Sequence, residues 1–71
     1  MNERLVTTTI IETLERNGAL KVDDLFKQVQ KLHTGVERGV FEENLMVLEL
    51  QGLIRVHSMA RDQLRVEMAK V

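Results

Sequence analysis

Hydrophobic residues recur along this chain at two spacings, and the change from one to the other predicts its architecture. Val6, Ile10, Ile11 and Leu14 fall at helical spacing, with Glu12, Glu15 and Arg16 on the other side. Asn2 suits an N-cap, and Asn17-Gly18 suits a stop, because glycine adopts the left-handed conformation that closes helices. A first helix is therefore expected over about Glu3 to Arg16, followed by a short extended link from Ala19 to Lys21. A second helix carries Val22, Leu25, Phe26, Val29 and Leu32 on one stripe. Asp23 lies near its positive end and is placed to pair with Lys27 one turn on. Thr34-Gly35-Val36-Glu37 has the spacing of a capping box, which puts the start of a third helix at Thr34. Gly39, inside its first turns, could delay that start. Phe41, Leu45 and Leu48 form its buried stripe, and Gly52 ends it.

The period then drops to two. Ile54, Val56 and Ser58 alternate with Arg55 and His57, and Leu64, Val66 and Met68 alternate with Arg65 and Glu67. Two such runs joined by a polar loop predict a hairpin. The loop from Met59 to Asp62 has no glycine, so a four- or five-residue connection is expected. A lone hairpin is not stable in water. Its face of Ile54, Val56, Leu64 and Val66 is expected to lie on the helices.

Two segments carry a family resemblance. "IIETLERNGALKVDDL" (Ile10–Leu25) is similar to the first helix, short strand and second-helix start of winged helix-turn-helix regulators. "LMVLELQGLIRV" (Leu45–Val56) resembles the end of their recognition helix and the first wing strand. The resemblance implies an α+β fold, mainly α: a three-helix winged helix with a C-terminal two-stranded β-hairpin wing, one domain spanning residues 1–71. It rests on apolar positions and glycines, so it bears on fold more than on function. The chain departs from DNA-reading members in two places. The stretch "KLHTGVERG" lengthens the step from the second helix to the third. On the third helix, a rotation of ~100° per residue sets Gly39, Glu43, Met46 and Leu50 opposite the core stripe, with Val47 at the margin. A major-groove reader needs donors and cations there.

Length and composition narrow the picture. A chain of 71 residues buries only about 60% of its unfolded surface, and with no Cys there is neither a disulfide nor thiolate chemistry to help. A hydrophobic fraction of 44% suits a folded domain. Charges interrupt the N-terminal residues where a signal peptide would need an apolar run. The longest unbroken apolar run, Leu45 to Leu48, is far too short to span a bilayer. A soluble intracellular protein is expected. The formal net charge is −1, so a strongly basic nucleic-acid binder is not indicated. The third helix is the most acidic element and the C-terminal part the most basic.

The leading expectation is a non-enzymatic module that docks a protein, or a second copy of itself as a homodimer, through Glu43, Met46, Val47 and Leu50. Neighbouring elements of the same chain could instead cover those apolar residues. The alternative is a small transcriptional regulator that grips duplex DNA through Lys27 and Lys31 of helix 2 and Arg55, Arg61 and Arg65 of the wing, with His57 as a further contact. The plain alternative for the arginines is a solvated face paired with Glu67 and Asp62. His33 and His57 lack metal-ligand spacing, and His33 suits the negative end of helix 2. No phosphate loop, nucleophile elbow or acid–base pair is present. No cofactor, metal or small-molecule substrate is expected. Thr7-Thr8-Thr9 is given no role beyond helix 1.

Overall fold

The structure, a computed structural model, describes the backbone of residues 3–69 and the side chains of residues 6–69. The elements run α1 (Glu3–Asn17), β1 (Leu20–Lys21), α2 (Val22–Leu32), α3 (Arg38–Leu50), β2 (Ile54–Met59) and β3 (Gln63–Met68). Three helices precede a hairpin, an α+β arrangement with a winged-helix-like layout. The sheet has three strands rather than two, because the link after α1 pairs with β3. Its order is β1-β3-β2, all antiparallel, with Leu20 opposite Val66 and Val66 opposite Val56.

Glycines stop the helices as expected. At the end of α3, Gly52 has φ 77°, its N–H bonds the Glu49 carbonyl at 2.9 Å, and the Leu53 N–H bonds the Leu48 carbonyl at 3.0 Å. This pair of bonds satisfies carbonyls that the helix end would leave free, a Schellman closure. The start of α3 differs from expectation. It begins at Arg38, and no side-chain cap bond forms at Glu37. Gly35 takes φ 87° and the Val36 N–H turns back to the His33 carbonyl, so the backbone at Thr34 and Gly35 is a turn. A capping box on Thr34 needs helical backbone from Gly35 to Glu37, and none of these residues is helical. The proposed N-cap, Asn2, lies outside the described residues.

One core joins every helix to the sheet: Val6, Ile10 and Leu14 of α1, Val22, Leu25 and Val29 of α2, Phe41, Leu45 and Leu48 of α3, with Ile54 and Val66. Five expected core residues fall short, among them Phe26 of α2, which is half-buried. Leu32, in the last residue of α2, is 64% exposed. Leu64 is 43% exposed and Val56 only half-buried, because the hairpin runs out past the helices toward its turn. That turn is shorter than expected. Met59 and Gln63 are the last paired rung, leaving Ala60, Arg61 and Asp62 between them. Arg61 and Asp62 both take left-handed φ, 63° and 59°, and so do what glycine does elsewhere. On α1 the buried face is shifted from the expected one. Thr9 and Thr13 join it, while Ile11 is half-buried.

Candidate functional site

Arg38 anchors the beginning of α3. Its guanidinium donates to Asp23 at 2.9 Å and to Glu42 at 3.0 Å. It also lies 5.0 Å from the centroid of Phe26 and 5.9 Å from that of Phe41, whose rings are 4.9 Å apart. A cation in the first turn opposes the helix dipole, and these carboxylates and ring faces offset that. Desolvation works against the charge, but the hydrogen bonds and charges of Asp23 and Glu42 outweigh it, so the Arg38 pKa is raised. Asp23 therefore pairs with Arg38, not with Lys27 as the helical spacing suggested. The contact joins the first turns of α2 and α3.

Beyond that anchor, α3 turns a mixed face to solvent. Met46 is 59% exposed, Val47 47% and Leu50 80%. No element of the described chain covers them, which removes the alternative that they complete its own core. Glu43 and Glu49 are exposed beside them, with no ion pair among the described residues. Met46 and Glu49 continue into a groove between α3 and the hairpin, where Leu45, Val56 and Leu64 line the apolar side and Glu42 the rim.

The solvent face of the sheet is the opposite in charge. Alternation along the strands places Arg55 and His57 of β2, Arg65 and Glu67 of β3, and Lys21 of β1 on it. The register sets Lys21 beside Arg65, and Arg65 beside His57, in one row across all three strands. The expected pairing of the wing arginines does not form. Glu67 lies opposite Arg55, but its carboxylate reaches the His57 Nε2 at 3.4 Å instead. Arg55, Arg61 and Arg65 have no ion pair among the described residues. Arg55 and Arg65 share the sheet face, Arg61 sits in the turn, and Lys27 and Lys31 lie exposed on α2, a separate element. The place of Lys21 in this row could not be read from the sequence, because it depends on β1 joining the sheet.

His33 closes α2 as its C-cap residue, as its position suggested, but it is also buried. Its Nε2 lies 2.7 Å from the Thr9 Oγ1. It borders a small cleft of about 210 Å³ under the α2–α3 turn, with Val6, Val36, Glu37 and Val40. Among the described residues no three His, Asp or Glu side chains gather to hold a metal, and no helix is long and apolar enough to cross a membrane. Comparison with protein-family models, with characterised proteins and with solved structures finds no match to this chain.

Proposed function

We propose that this chain is a non-enzymatic binding module that docks protein through the outer face of α3, within a nucleic-acid-handling system of the kind its winged-helix resemblance implies. The supporting observation is the solvent exposure of Met46 and Leu50 beside Glu43 and Glu49, which have no ion pair among the described residues. Apolar side chains exposed together and rimmed by charge are the usual makings of an interface. The carboxylates repel a phosphate backbone and favour a basic partner. Burying one such side chain is worth ~1.5–3 kcal/mol, so a cluster can anchor an interface. The test is the double variant Met46→Lys with Leu50→Lys, followed by sedimentation and circular dichroism on one sample. It is expected to stay folded and to lose partner binding, self-association included. Unfolding would assign the face to the core. Gained DNA affinity with no association lost would make α3 a weakened groove reader.

The second reading, direct binding of duplex DNA, is favoured by one observation: Arg55, Arg61 and Arg65 are all exposed and have no ion pair among the described residues. Phosphate-driven binding weakens steeply with salt. If it occurs, Arg61→Ala with Arg65→Ala should weaken binding to all sequences alike and flatten the salt slope. No affinity for random duplex at low salt rules this reading out.

A further inference from the structure

The two exposed faces of this molecule complement each other. α3 presents Glu43 and Glu49 around Met46 and Leu50, and the sheet presents Lys21, Arg65 and Arg55 around His57. We infer that the occupant of the α3 face is a second copy of this chain, which receives α3 on the solvent face of its three-stranded sheet. The inference rests on the docking reading and deepens it by naming the partner.

Dimensions agree with the charges. α3 has 13 residues and so is ~20 Å long, and the paired strands of six residues run ~20 Å. Three strands span ~10 Å from β1 to β2, about the width of one helix with its side chains. Glu43 and Glu49 are ~9 Å apart along the helix axis. Along the strands, Arg55 lies two residues, ~7 Å, from the rung of Lys21 and Arg65. The apolar side chains of α3 need apolar surface to meet. Met59, 40% exposed on the same sheet face, supplies some, and the methylene stems of Lys21, Arg55 and Arg65 supply more.

The inner face of the sheet already carries this chain's own helices. A helix laid on the outer face would complete a layered arrangement of helix, sheet and helix. A two-fold dimer through α3 alone is disfavoured, because it would set Glu43 and Glu49 against their own copies. Helix on sheet joins two different surfaces, so it either closes reciprocally about a two-fold axis or propagates from copy to copy. The net charge of −1 gives little overall repulsion to oppose growth.

Sedimentation of the full chain tests this, over a concentration series at ~50 mM and ~500 mM salt, where screening lengths differ about threefold. The mass is expected to rise with concentration to the dimer or beyond at low salt. High salt should weaken association roughly tenfold or more. Glu43→Lys with Glu49→Lys, and separately Arg55→Glu with Arg65→Glu, should each give a folded monomer. All four substitutions in one chain should restore association, because the charges are then exchanged. A wild-type chain that stays monomeric overturns the inference and leaves α3 as a docking face for another protein. Association that survives reversal of the sheet face overturns it in favour of a two-fold helix dimer. The docking reading itself falls on its own criterion, the behaviour of the Met46→Lys, Leu50→Lys variant.

Discussion

Thr9 and Thr13 stand one turn apart on the buried face of α1, and their hydroxyls meet different fates. The Thr9 Oγ1 lies in hydrogen-bond distance of the His33 Nε2, joining α1 to the end of α2. The Thr13 Oγ1 is buried and has no hydrogen-bond partner, in a side chain 1% exposed. A buried hydroxyl without a partner costs about 1–3 kcal/mol, whereas a satisfied one contributes roughly 1 kcal/mol. The same substitution should therefore have opposite signs at the two positions. Thr13→Val, which keeps the shape and removes the hydroxyl, is expected to raise stability by about 1 kcal/mol. Thr9→Val is expected to lower it by about 1–3 kcal/mol, since His33 loses a buried partner. Urea unfolding of the two variants decides this, and a clear loss for Thr13→Val would mean that its hydroxyl is bonded after all. The pattern of the sequence offered only part of this. Two threonines at i and i+4 read as polar, and the expected stripe ran through Ile11 instead.

At the scale of elements, α3 packs through Phe41, Leu45 and Leu48, and a distinct contact marks each of its ends. Arg38 holds the first turn to α2, but its side chain is 43% exposed and Asp23 is 76% exposed. Exposed ion pairs contribute ~0–1 kcal/mol and an exposed cation–π contact about as little. Arg38→Ala is therefore expected to cost only about 1 kcal/mol of stability, measured by chemical denaturation. A loss several times larger would mean that α3 depends on this anchor to pack at all. At the other end, a side chain at Gly52 would meet nothing within 4 Å, yet φ is 77°. Gly52→Ala should cost about 1 kcal/mol from backbone strain alone, with no change in the packing. The anchor was hidden in the sequence because Asp23 and Arg38 are joined only when α2 and α3 are folded together. Lys27, one turn from Asp23, was the nearer partner on the page and the wrong one. The Schellman end, by contrast, depends on adjacent residues, and the glycine announced it.

For the whole molecule, stability rests on one small core. A domain of this size is held by something on the order of 5 kcal/mol. Leu45, 7% exposed, packs within that core. Leu45→Ala is expected to leave a cavity and cost ~2–5 kcal/mol, much of the total. Circular dichroism melting checks it, and an unchanged melting temperature would mean that Leu45 does not pack as placed. Helix periodicity, glycine stops and the switch to alternation are local properties, set by which backbone conformations and faces a short run of residues can satisfy. From them the order of elements, most of the core and the outward face of α3 could be read directly. The pairing of β1 with β3, the Asp23–Arg38 bond, the exposure of Leu64 and the row of Lys21, Arg65 and His57 could not. Each joins residues far apart in the chain, or depends on how far a hairpin overhangs the helices. Only the packing of the elements against one another brings such residues together, because that is where the free energy of burying their shared core selects one arrangement.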